Sequence, residues 1–249
     1  MKKINYELML PHELDYAVEA FPVAYVPLGS LEWHGKHLGL GNDTLKAKGI
    51  LEHAARKFGG VVVPPTYLGC VGKWHPWTFG STGRELLTSI CEYIFRSLAD
   101  VGFKVIIGVT GHDVPDQVSA MQDALDAVKA EFPIDGHAMM EGELTDFGED
   151  RMDHAAHWET SILMQLYPDC VDMHQIRDDD LDGDMHGSEW DSPGIGGKDP
   201  RGGKANKQLG EKLVNGMADA IGRKAQDLLD GLRAAGKLDE GPGIGGGQR

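Results

Sequence analysis

Short, continuous apolar runs alternate along this chain with longer segments in which apolar residues recur at helical spacing. Val23–Leu28 (VAYVPL), Val61–Pro64 (VVVP) and Lys104–Val109 (KVIIGV) are apolar almost throughout, and Ile134–Met140 is a weaker fourth run. Continuous rather than alternating character predicts strands buried on both faces, the condition of a parallel sheet covered by helices. Pro27 stands near the end of its run, where a missing N–H costs the ladder least.

Between the runs, Asp43–Phe58 places Ala47, Ile50, Leu51, Ala54 and Phe58 on one stripe, and Arg84–Val101 does so with Leu86, Ile90, Ile94 and Leu98. Pro115–Glu131 carries Val118, Met121, Leu125 and Val128 behind a proline suited to a first helical turn. The longest pattern, Asn206–Leu232, carries Leu209, Leu213, Met217, Ile221, Leu228 and Leu232. Strands alternating with helices predict βαβ units and fold class α/β, with a mainly parallel central sheet. Residues 1–236 are expected to form a single domain and 237–249, ending GPGIGGGQR, a flexible glycine-rich tail. Asp178–Gly203 is rich in Gly, Asp and Pro and has no period; loops of that length are usually functional or disordered.

Composition narrows the function classes. Hydrophobic residues make up 41% of the 249 and charged residues 25%, ordinary for a soluble globular protein. A formal charge of −15 repels phosphate backbones and anionic lipid, so neither nucleic acid nor membrane is expected as a partner. Three widely spaced cysteines (Cys70, Cys91, Cys170) make no disulfide framework and suit a reducing compartment. No signal-peptide pattern opens the sequence and no apolar run approaches the ~18 residues of a membrane span, so a cytoplasmic location is expected.

Candidate chemistry concentrates in Gly29–Thr44, GSLEWHGKHLGLGNDT, between the first strand and the first helix. In open parallel sheets that carboxyl edge is where ligands bind. Glu32 and His34 are two residues apart, so extended backbone sends both to one side, and Asp43 follows at the mouth of the helix. Two carboxylates and an imidazole make a ligand set for Zn, Mn or Fe. Asp43 alone would read as an N-cap, and His37 is an alternative to His34. His112, in TGHD, stands at the end of the third strand, and DHAAHWETS supplies His154, His157 and Glu159 just before an expected helical segment, Ser161–Leu166. E-x-H, then D, then H, then E points to a dinuclear site with Asp43 as the natural bridge.

These segments resemble the creatininase (creatinine amidohydrolase) family. Gly29–Thr44 is similar to its E-x-H-G-x-H-L-x-L-G-x-D signature, TGHD to its N-G-H-G-G-N segment, and DHAAHWETS to its D-H-A-G-x-x-E-T-S segment. GIGGKDPRGGKANKQLGEKL resembles the family's glycine-flanked D-P and following helix, and His75 in GKWHPWTFGST the histidine before its F-P-G-T element. The matches keep the family's order from about residue 25 to 215.

The resemblance implies a three-layer α/β domain, usually a homohexamer, with two divalent ions per chain hydrolysing amide-type bonds in small cyclic molecules. The ligands it implies are Glu32, His34, Asp43, His112 and Glu159, with His154 close to the reaction centre. Lys36 and Gly39 stand where prolines are usual and Asn42 where Thr is common. His112-Asp113-Val114 lacks the glycines, and Val114 replaces a carboxylate that helps bind metal in creatinine-hydrolysing members. A substrate other than creatinine is therefore expected.

His154 is the candidate acid/base, and His157 is read as structural. Trp74, His75, Trp77 and Trp158 are candidate substrate contacts, since aromatic walls exclude water and grip a flat ring. Three functions are carried forward: hydrolysis of a cyclic amide or related C–N bond; hydrolysis of a C–C bond in a cyclic keto-polyol, an oxidised inositol; and metal or metabolite binding without turnover.

Overall fold

In the computed structural model of the chain, residues 3–73, 75–147, 153–181 and 194–238 are described. Four parallel strands, β1 (Val23–Leu28), β2 (Val61–Val62), β3 (Val105–Thr110) and β4 (Asp135–Met140), pair in the order β2-β1-β3-β4. Leu28, Thr110 and Met140 lie in register, so β1, β3 and β4 end at one level. Because β2 flanks β1 on one side and β3 flanks it on the other, the strand order reverses between β1 and β3. The carboxyl ends at such a reversal leave a crevice that suits a ligand.

Successive strand residues face opposite sides, and each side has its own core. Val23, Tyr25, Ile107, Val109 and Met139 pack beneath α2 (Asn42–Phe58), α5 (His157–Leu166) and α6 (Lys207–Ala234). Ala24, Val26, Leu28, Ile106 and Ala138 pack beneath α1 (Pro11–Ala20), α3 (Arg84–Val101) and α4 (Pro115–Lys129). The architecture is the expected helix–sheet–helix sandwich. Among the described residues no helix is long and apolar enough to cross a membrane.

The departures have local causes. β2 is shorter than the Val61–Pro64 run because Pro64 and Pro65 carry no N–H; the ladder lapses after Val63 N to Tyr25 O at 2.9 Å and resumes only at Thr66 N to Pro27 O, 3.1 Å. The α3 stripe is rotated from the expected one. Leu87, Cys91, Phe95 and Leu98 are buried while Leu86 is 54% exposed. This helix carries two adjacent apolar stripes, and the one bearing Phe95 faces the bare backbone of Gly108 on β3. Helix α1 was not foreseen. Leu238 packs on the core; Gly-rich 239–249 lies outside the described residues, as do Trp74 and 182–193 of the long loop.

Candidate metal centre

The loop after β1 is folded back on itself, with Glu32 N donating to Leu40 O at 2.9 Å, and so delivers Glu32 and His34 beside the start of α2. Gly111, directly after β3, lies so close to α2 that a Cβ would sit 2.1 Å from the Asp43 carbonyl oxygen. That close approach lets Asp43 on α2 meet His112. Gln117 ties the strand ends together: its amide donates to Thr110 Oγ1 (2.8 Å) and Gly29 O (3.3 Å) and accepts from Cys70 N (3.0 Å).

Five of the sequence candidates converge there, all buried. Asp43 turns one oxygen to each of two imidazoles: Oδ1 lies 2.9 Å from His34 Nε2, and Oδ2 lies 3.2 Å from His112 Nδ1. Glu32 Oε2 is 3.0 Å from His112 Nδ1, and Glu159 Oε2 is 3.5 Å from His34 Nε2. The donors form two overlapping groups, Glu32–Asp43–His112 and His34–Asp43–Glu159, each with its ligand atoms within 4.8 Å of one another.

The arrangement fits a pair of divalent ions. Ligands about 2.0–2.2 Å from one ion lie about 3.0–3.4 Å from each other, the spacing found here. His34 donates Nδ1–H to Glu32 O (3.1 Å), which fixes the ring with its Nε2 turned to Asp43. Electrostatics points the same way. Burial disfavours charged imidazoles, yet Asp43, Glu159 and Glu32 raise His34 to about 9, and Asp43 and Glu32 raise His112 to about 10. Buried carboxylates packed this closely demand positive charge.

His154 joins the centre from the other side. Its ring stacks on His34 at 4.2 Å between centroids, and its Nε2 lies 3.0 Å from Trp33 O. It also forms a third possible ligand group with Glu32 and His34. The backbones of His154 and Gly196 exchange hydrogen bonds of 2.8 and 2.7 Å, so the described end of the long loop seats on the centre. Gly194 is needed there: its φ is +63° and a Cβ would meet the Trp33 indole nitrogen at 2.4 Å.

The aromatic candidates divide. His75 stacks on Trp33 (4.2 Å, 6°) with Trp77 edge-on, and Trp77 is 53% exposed. Trp158 instead packs into the core against Phe147 and walls a cavity of about 250 Å³ beside Glu159, together with Asp113, Glu141, Glu143, Asp153 and Met217. His157 pairs with Asp153 at 3.2 Å, in keeping with a structural role.

Several residues escaped the sequence reading. Ser30 Oγ donates to Asp43 Oδ2 at 2.6 Å. Asp153 accepts from the first-turn amides of Trp158 (2.7 Å) and Glu159 (3.1 Å), which starts α5 at His157 rather than Ser161. Burial and the Glu159 charge push Asp153 up to about 7. Lys46, fully buried on α2, donates to Glu141 Oε1 (2.9 Å) and to Glu159 Oε1. Burial opposes its charge, but Glu141, Glu159 and Asp43 hold it well above the ordinary lysine range. One signal was available: the α2 stripe continued back one turn lands on Lys46 and Asp43.

The sequence profile of the creatininase family, described as creatinine amidohydrolase, matches residues 7–224. The chain belongs to the creatininase family. The mycofactocin precursor peptide peptidase of Mycolicibacterium smegmatis is 31% identical over 166 residues, 60% of this chain and 60% of that protein's length. Creatinine amidohydrolase of Pseudomonas putida is 25% identical over 181 residues, 63% of this chain and 68% of its own. A crystal structure of creatininase superposes with a TM-score of 0.75 at 21% identity, covering 92% of this chain and 99% of that one. A manganese form of creatininase matches with a TM-score of 0.74 at 21% identity, over 91% of this chain and 98% of its own. A zinc–zinc form of a creatininase mutant gives 0.74 at 20%, with the same coverage.

Proposed function

We propose that the protein is a metal-dependent hydrolase that opens a small cyclic substrate at an amide or related C–N bond. Two divalent ions would be held by Glu32, His34, Asp43, His112 and Glu159, with Asp43 shared. The observation that carries this reading is Asp43 itself, whose two oxygens face different imidazoles with a further carboxylate on each flank. Zinc or manganese is favoured by the relatives' forms, and the donor set accepts iron equally. When bound, such ions supply Lewis acidity that activates water and polarises a carbonyl.

The chain's own residues do the rest. A carbonyl acceptor at Trp33 makes His154 Nε2 the donor, so its Nδ1 keeps the lone pair and can take a proton and return it to a leaving nitrogen. Burial and the neighbouring His34 lower the His154 pKa, which favours the neutral ring near neutral pH. Trp33, His75 and Trp77 on one flank and Trp158 on the other exclude water from the ring. The homohexameric assembly and cytoplasmic location belong to this proposal.

The C–C reading, in a cyclic keto-polyol, has one observation in its favour. Asp113, Glu141, Glu143 and Asp153 line the cavity with hydrogen-bond acceptors, which suit a substrate rich in hydroxyl donors.

Elemental analysis of the protein beside a Glu32→Ala, Asp43→Ala double variant tests the centre. About two ions per chain in the wild type and none in the variant are expected. Lactams, keto-inositols and short peptides are then screened by mass for addition of water, with His154→Gln retaining its metal and losing turnover. No ion bound, even after reconstitution with Zn, Mn or Fe, would remove the hydrolase reading.

A further inference from the structure

Among the described residues, Lys46 is the one buried lysine or arginine, and the chemistry above gives it no task. It stands three residues after Asp43, on the same face of α2, so one helix turn presents both a shared ligand and an ammonium group. The two oxygens of Glu159 have different partners. Oε1 accepts from Lys46, while Oε2 accepts from Ala155 N at 2.6 Å and faces His34 Nε2 at 3.5 Å. The Lys46 ammonium also holds Glu141 Oε1 at 2.9 Å. Glu141 directly follows β4 and lines the cavity next to the centre.

A carboxylate can bind an ion through one oxygen or chelate it through both. Hydrolytic sites keep a coordination position open, which a second carboxylate oxygen would fill. We infer that Lys46 is a positioning residue that keeps Glu159 a one-oxygen ligand and keeps Glu141 out of the ligand set. The inference rests on the two-ion reading given above. Asp43 faces both donor groups with its two oxygens, and its neighbour Ser30 gives Oδ2 only an uncharged hydrogen bond. Glu159 is denied that freedom by a charge-assisted bond that an ion would have to displace.

Cobalt(II) substitution reads this directly, because visible absorption by Co(II) weakens as its coordination number rises. Lys46→Met alone strands two buried carboxylates and endangers folding, so it is paired with Lys46→Met, Glu141→Gln, which leaves only Glu159 without its partner. Lys46→Arg keeps the cation. Ions per chain, circular dichroism and thermal unfolding accompany each spectrum. The folded double variant is expected to keep both ions while its Co(II) absorptivity falls roughly twofold or more, and Lys46→Arg to restore the wild-type spectrum. A folded double variant with two ions and an unchanged spectrum would overturn the inference and leave the metal reading intact. Failure of the wild type to bind cobalt or any other ion would bring both down together.

Discussion

The centre has two halves that share Asp43 and differ in what holds their remaining donors. On the Glu32–His112 side the donors follow the ends of β1 and β3, which are paired in register up to Leu28 and Thr110. Thr110 Oγ1 accepts from His112 N at 3.0 Å, and Gln117 clamps the two strand ends. On the His34–Glu159 side, Glu159 rides on α5, whose start depends on Asp153, on Ala155 at φ 54° and on the His154–Gly196 bridge. Non-glycine backbone at positive φ is strained and persists where its surroundings over-determine it. His34 shares the loop after β1 with Glu32, so what separates the halves is Glu159, placed by a loop held with charges and hydrogen bonds.

The sharpest way to break this distinction is to remove one imidazole at a time. His112→Ala should empty the sheet-borne half and His34→Ala the loop-borne half, each leaving about one ion per chain by elemental analysis after dialysis. Loss of both ions from either variant would make the centre a single unit and erase the comparison. Ser30→Ala is subtler, because Ser30 touches only the Asp43 oxygen that faces His112. Removing a hydrogen bond to a ligand should weaken the first ion about 10–100-fold and leave the second in place, as titration of the metal-free protein would register. Equal weakening of both steps would mean that Asp43 moves as a whole.

The same division governs what could be read from the sequence. The sheet, five of the six major helices and the convergence of Glu32, His34, Asp43 and His112 were legible because each follows a strand or opens a helix whose pattern is periodic. Helix α1 was missed: its ten residues, PHELDYAVEA, bury only Ala17 and so offer no stripe. Glu159 was found from its motif, but its partner Lys46 was not, since a lysine in a helix reads as solvent-facing until its carboxylates on β4 and α5 are known. Trp158 was read as a substrate contact and does line the cavity, yet most of its surface is spent in the core. Periodicity reports burial of apolar groups. It is silent on buried charge, which depends on pairs brought together from distant parts of the chain.

The smallest effect on the centre is expected from Leu213→Ala, although it should cost the fold about 2–5 kcal/mol. Leu213 is 1% exposed on α6, within the core that supports both α2 and α5. A cavity there removes packing from the helices that carry Asp43 and Glu159, without touching any hydrogen bond of the centre. If Glu159 is held by Lys46, Ala155 and the amides capped by Asp153, both ion affinities should stay within about threefold of wild type, as expected for sites that share no partner. The unfolding midpoint alone should fall. Weakening of the second ion but not the first would show that the loop-borne half leans on the core after all. Packing from α6 would then join the polar contacts as what holds Glu159 against His34.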